Sequence, residues 1–91
     1  MSENMNNEHM HELYDWSGTM SFSGTILSPW DDVKRDLRKL ARETGTKVKF
    51  RIVGVFSQEL KVEVSGRHTA KQEKEIVSKF EAYGRNLNAR L

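Results

Sequence analysis

Between Thr46 and Gly66 the chain reads TKVKFRIVGVFSQELKVEVSG, and two runs within it alternate with a period of two. Val48, Phe50 and Ile52 alternate with Lys47, Lys49 and Arg51, and then Leu60, Val62 and Val64 alternate with Lys61, Glu63 and Ser65. Successive side chains of an extended strand point to opposite faces. The segment therefore predicts a hairpin with one apolar face that must be covered and one mostly basic face left in water. Beyond Ile52 the parity blurs, because Val53, Val55 and Phe56 are all apolar, and a bulge near Gly54 is the expected reason. The turn is expected at Ser57-Gln58-Glu59, with Phe56 kept on the core parity.

The flanking segments carry matching apolar faces. Over residues 14–27 Trp16, Met20, Phe22 and Ile26 share one parity, while Ser17, Thr19, Ser21, Ser23 and Thr25 share the other. This predicts a half-buried strand with a hydroxyl-rich outer face. Gly18 and Gly24 fall on its apolar parity, where glycine marks a bulge or the close approach of a packed element. Residues 28–44 predict a helix with Ser28 as N-cap, Pro29 at the first helical position and Asp31 and Asp32 at the positive end of the dipole. Its stripe is Trp30, Val33, Leu37, Leu40 and Ala41, and Gly45 is the expected C-terminal cap. Residues 69–88 predict a second helix, opened by a capping box of Thr69 and Gln72. Ile76, Val77, Phe80, Tyr83 and Leu87 form its stripe, with Gly84 weakening its end.

The order strand, helix, strand, strand, helix predicts an α+β domain. A helix joining the first two strands favours a right-handed crossover, and the third strand returns antiparallel to the second. The economical solution is a three-stranded mixed sheet in the order 1-3-2 with both helices on one face. That is the βαββα, ferredoxin-like arrangement without its last strand. The first strand then forms an edge carrying no charge from Ser17 to Leu27, poorly protected against pairing with another strand unless the N-terminal tail or a bulge shields it.

Composition narrows the function classes. The 91 residues contain no cysteine, which excludes disulfides and thiolate metal sites. No run approaches the ~20 apolar residues of a membrane helix, and the polar, acidic start is unlike a signal peptide. A cytoplasmic setting is the expectation. The net charge of +2 is unevenly spread: residues 1–30 hold four acids and no Lys or Arg, whereas residues 31–91 hold all 15 Lys and Arg against nine acids. An acidic tail over residues 1–13 therefore precedes a basic domain over residues 14–91. In the tail, Glu8-His9-Met10-His11-Glu12 has metal-ligand chemistry, but its spacing does not place His9 and His11 on one helical face and nothing frames it. No metal site and no cofactor are expected.

No catalytic signature emerges. There is no glycine-rich phosphate loop after a strand and no convergent pair of carboxylates, and His68 stands alone at a strand end. Arg67 and His68, beside the second helix N-terminus, are a candidate anion site. The expected binding surface is the open sheet face, with Lys47, Lys49, Arg51 and Lys61 beside Thr19, Ser21 and Ser23. The expected role is a non-catalytic protein-interaction or assembly domain, using that face or the edge of the first strand. Its partner would be another protein or a second copy. Binding of RNA or single-stranded nucleic acid through the basic face is the alternative, with Tyr14 and Trp16 near its rim the candidates for base stacking.

Overall fold

The structure is a computed structural model and describes residues 12–90. The chain runs β1 (Tyr14–Thr25), α1 (Trp30–Thr44), β2 (Lys47–Val53), β3 (Ser57–His68) and α2 (Ala70–Arg90). The strands form one sheet in the order β1-β3-β2. β3 lies antiparallel to both neighbours, from Tyr14↔His68 to Thr25↔Ser57 on one side and from Lys47↔Ser65 to Val53↔Glu59 on the other. The expected α+β architecture is the one found. β1 and β2 run in the same direction but are separated by β3, so the sheet has two directions of strand and no parallel ladder.

The alternation of the strands and the stripes of the helices meet in one core. Phe22 of β1 and Leu60, Val62 and Val64 of β3 pack with Trp30, Val33, Leu37 and Ala41 of α1 and with Ile76, Phe80 and Leu87 of α2. Each fully buried Leu or Val stabilises the fold by about 1.5–3 kcal/mol. Because β2 is an edge strand, Phe50 is only half-buried. The Arg38 guanidinium covers its ring at 5.2 Å from the centroid, so this helix cation has a structural use. Tyr83 of α2 donates to Asp36 Oδ2 of α1 at 2.9 Å and ties the two helices together.

Several local signals act as read. Gly45 ends α1 in the left-handed conformation at φ 66° and donates its N–H to the Ala41 carbonyl. Thr69 and Gln72 exchange both bonds of the capping box: the Thr69 N–H donates to Gln72 Oε1 at 3.0 Å and the Gln72 N–H to Thr69 Oγ1 at 3.2 Å. Gly84 is buried, and a Cβ there would lie 3.4 Å from the Phe22 ring, so the glycine brings α2 close to β1. The helix continues past it to Arg90. No helix among the described residues is long and apolar enough to cross a membrane.

Three expectations are corrected. Ser28 does not cap α1; its Oγ accepts the Thr25 N–H at 2.8 Å, and Pro29 takes the N-cap position without a side-chain bond. The β2–β3 turn lies at Gly54-Val55-Phe56, where Gly54 adopts φ 99° and no side chain fits, since a Cβ would come 2.1 Å from the Ser57 carbonyl oxygen. Gly54 therefore makes the turn rather than a bulge, and Ser57, Gln58 and Glu59 belong to β3, where they pair with Thr25, Gly24 and Ser23. Ile26 and Phe56, placed on the core parity by the sequence, lie beyond the ends of their strands and are exposed.

Candidate interaction surface

The sheet face away from the helices carries the residues expected there, in rows set by the two ladders. Ser17, Ser65 and Lys47 form one row, and Thr19, Glu63 and Lys49 the next. Ser21, Lys61 and Arg51 follow, and then Ser23, Glu59 and Val53. The structure thus brings Lys47, Lys49, Arg51, Lys61, Thr19, Ser21 and Ser23 onto one surface. Between the middle rows is a shallow depression of about 480 Å³, lined by Thr19, Ser21, Lys49, Arg51, Lys61 and Glu63 among others. Its charge is mixed. Glu63 stands opposite Lys49, and Lys61 approaches Glu59 at 3.9 Å in a solvent-exposed pair worth about 0–1 kcal/mol. Arg51 stands directly opposite Lys61, so positive charge concentrates at that end.

No aromatic side chain stands on this face among the described residues. Tyr14 and Trp16 both turn to the helix side. The Tyr14 phenol donates to Glu73 Oε1 of α2, and the Trp16 indole donates to His68 Nδ1. The bond to Glu73 holds the Tyr14 proton more tightly than usual, raising its pKa above 10.0, with desolvation and the carboxylate charge adding to the effect. Arg67 and His68 are not brought together. As consecutive strand residues they point to opposite faces, Arg67 beside Asp15 on the open side and His68 over Trp16. His9 and His11 lie outside the described residues, as does the acidic tail except Glu12 and Leu13. Among the described residues no cluster of three or more His, Asp or Glu has metal-ligand geometry.

The outer edge of β1 is built by the same ladder. The Ile26 N–H donates to the Phe56 carbonyl at 2.9 Å, one residue beyond the Thr25↔Ser57 pair and in the same register. In an antiparallel ladder such hydrogen-bonded pairs recur at every second residue. Trp16, Gly18, Met20, Phe22 and Gly24 therefore direct their backbone groups into β3. Asp15, Ser17, Thr19, Ser21, Ser23 and Thr25 direct theirs outward. Thr25 shows the pattern: its N–H meets Ser28 Oγ at 2.8 Å and its carbonyl accepts the Ser28 N–H at 3.0 Å. Ser28 thus closes one end of the edge. From Asp15 to Ser23 the outward groups have no backbone partner among the described residues.

A small apolar groove adjoins this edge on the helix side. Its volume is about 110 Å³, and Trp16, Gly18, Met20, Val64, Val77 and Phe80 line it with Thr19 and Glu81. Gly18 opens it, since a Cβ built there would meet no atom within 4 Å. Neither bulge nor close approach explains this glycine; it leaves the strand bare.

A third feature was hidden in the sequence. Ile26 and Leu27 from the β1–α1 loop, Val55 and Phe56 from the β2–β3 turn, and Ile52 expose apolar surface, with Leu27 90% and Phe56 77% accessible. The Ile26–Phe56 backbone bond joins the two loops, and Ile26 and Ile52 line one depression beside Asp31 and Asp32. The five side chains therefore form an apolar tip at one end of the sheet. Large contiguous apolar patches commonly mark interaction sites.

Comparison of the chain with protein-family models, with curated proteins and with solved structures finds no match.

Proposed function

We propose that this chain is a small non-catalytic protein-interaction or assembly domain that engages its partner by strand addition along β1. The observation that carries the reading is the row of outward N–H and C=O groups from Asp15 to Ser23, held straight by an unbroken residue-for-residue ladder with β3. Main-chain hydrogen bonds supply affinity in this mode, and neighbouring side-chain pockets supply specificity. Among the described residues β1 lacks three usual protections of an edge: it has no proline, no bulge, and no charge from Trp16 to Thr25. The apolar groove beside Gly18 and the apolar tip at Leu27 and Phe56 support the same reading. The charged groups of the open face line a shallow, solvent-exposed depression in which Lys49, Arg51 and Lys61 stand beside Glu63, a mixed-charge surface suited to recognition. A cysteine-free chain suits a cytoplasmic setting, which belongs to the same proposal.

A photo-crosslinking amino acid placed at Thr19, with Arg42 on α1 as the control site, tests this in the producing cell. Protein adducts from Thr19 and none from Arg42 are expected. Absence of any protein adduct at Thr19, or equal adducts at both sites, would overturn the reading.

A second reading, binding of RNA or single-stranded nucleic acid, is favoured by Arg51 standing opposite Lys61 with Lys49 in the next row. Without an aromatic platform on that face, its contacts would be to phosphates and strongly salt-dependent. Retention of a labelled single-stranded RNA at low salt, lost on charge reversal of Lys47, Lys49 and Arg51 together, would support it. No binding at low salt would remove it.

A further inference from the structure

We infer that the occupant of the β1 edge is a second copy of this chain, paired antiparallel about a two-fold axis through Thr19. The inference rests on the strand-addition reading and names its partner. Ser28 takes both outward groups of Thr25, so the open stretch is Asp15, Ser17, Thr19, Ser21 and Ser23, and its midpoint is Thr19. A two-fold axis at Thr19 pairs every open residue with another open residue: Asp15 with Ser23, Ser17 with Ser21, and Thr19 with itself. Shifting the axis to Met20 would set Asp15 against Thr25, whose groups are occupied, and leave Asp15 unsatisfied.

The side chains fit the same register. Asp15, the charged residue of this stretch, faces a serine, and no like charges oppose each other along the edge. On the open face, Thr19 meets Thr19 and Ser17 meets Ser21, hydroxyl pairs that add cross-strand hydrogen bonds. On the helix face, Gly18 stands beside Met20 of the second copy and Trp16 beside its Phe22. Gly18 has empty space where a Cβ would stand, beside the groove lined by Val77 and Phe80, so the strand of the second copy approaches there without meeting a side chain. From Trp16 to Ser23 the strand is uncharged and glycine-bearing, and such a stretch matches an identical one better than it matches a charged peptide. The product is a six-stranded antiparallel sheet, two copies of β2-β3-β1 joined at β1, with all four helices on one face.

The full chain tests this, and because it has no cysteine an introduced thiol can link only to its counterpart in the second copy. Thr19→Cys puts the two thiols on the axis, where hydrogen-bonded antiparallel residues stand about 5.5 Å apart between Cα atoms, within disulfide reach. Ser23→Cys separates them by about 27 Å along the strands. Under a mild oxidant Thr19→Cys is expected to form a disulfide-linked dimer and Ser23→Cys none. In sedimentation velocity the native chain is expected to move from monomer to dimer with concentration. Gly18→Lys, which the monomer accommodates in open space, should raise the dimer dissociation constant by about 100-fold or more, as burial of an unpaired charge requires. A chain still monomeric at about 1 mM, where even weak association registers, overturns the inference. So does a dimer that Thr19→Cys does not link. A monomer whose Thr19 nevertheless photo-crosslinks to a different protein overturns this inference and leaves the strand-addition reading intact. A chain that neither dimerises nor gives a protein adduct at Thr19 overturns both.

Discussion

The Trp16 indole donates to Nδ1 of His68 at 2.9 Å, reaching diagonally across the β1–β3 ladder over Gly66. An indole N–H only donates, so Nδ1 is the acceptor of this pair. The opposite end of the ladder repeats the device. Trp30 donates to Gln58 Oε1 at 2.9 Å, and its ring lies over Gly24, the ladder partner of Gln58. Both tryptophans are thus anchored to β3 across a glycine, and both anchors lie on the helix face. They fix the ends of β1 while its outer edge stays open.

Gly66→Ala should break the first anchor. A Cβ there would lie 2.6 Å from His68 Cε1 and 2.9 Å from Nδ1, so the imidazole must leave the indole. The expected loss is about 1–3 kcal/mol, typical of forcing a methyl into packed space. A lowered urea midpoint together with changed tryptophan emission checks it. An unchanged midpoint would mean that the ring moves without cost.

Gly24 and Gly18 share a parity on β1 and should respond in opposite ways to alanine. At Gly24 a Cβ would meet Ser28 Oγ at 2.3 Å and the Trp30 ring at 2.8 Å, whereas at Gly18 it meets nothing within 4 Å. Gly24→Ala is expected to destabilise by about 1–3 kcal/mol. Gly18→Ala in the dilute monomer should be neutral or stabilise by up to about 0.5–1 kcal/mol through reduced backbone entropy of the unfolded chain. Thermal melts of the two variants side by side test the contrast.

Replacing the apolar tip should leave the fold alone. Phe56 and Val55 are exposed and outside the core, so Phe56→Ser with Val55→Ser should shift stability by no more than about 0.5 kcal/mol. Binding of a hydrophobic dye to the folded chain should fall in the same variant. A large loss of stability would show that the tip packs against the domain.

Tyr14 provides a pH-dependent observable. Its phenol is held protonated above the ordinary 10.0 by the hydrogen bond to Glu73, followed by desolvation and the charge of that carboxylate. A folded value above the unfolded one means that the contribution is fully present below the unfolded pKa and is lost as pH rises through the raised one. Glu73→Ala should therefore move the Tyr14 phenolate absorbance transition down toward 10.0. The stability difference between this variant and the native chain should shrink in strong alkali. An unmoved transition would show that Glu73 does not hold the proton.

Much of the fold was legible because its signals are local. The alternation of Leu60, Val62 and Val64, the stripe of Val33 and Leu37, the Gly45 cap and the Thr69–Gln72 box each depend on a few neighbouring residues. The end of the hairpin was not legible. Ser57, Gln58 and Glu59 look like a turn by composition, but β3 outruns β2 to pair with β1 as far as Thr25, and only that long-range pairing makes them strand. Ile26 and Phe56 kept the apolar parity after the strands had stopped, so parity alone assigned them to the core. The open-face residues were placed correctly by period two, yet the neutralising rows of Glu63 and Glu59 depend on register. The direction of the β1 backbone groups depends on register too, and no side-chain pattern reveals it.

Amide hydrogen exchange along β1, read residue by residue by NMR, separates its inward from its outward backbone groups. In the dilute chain, the Trp16, Met20 and Phe22 amides should be protected by β3, while those of Ser17, Thr19, Ser21 and Ser23 exchange fast. Once the chain assembles, whether with itself or with another protein, the second set should slow while the first stays protected. Outward amides that are already slow in the dilute chain, or that remain fast in the assembled one, would contradict the account.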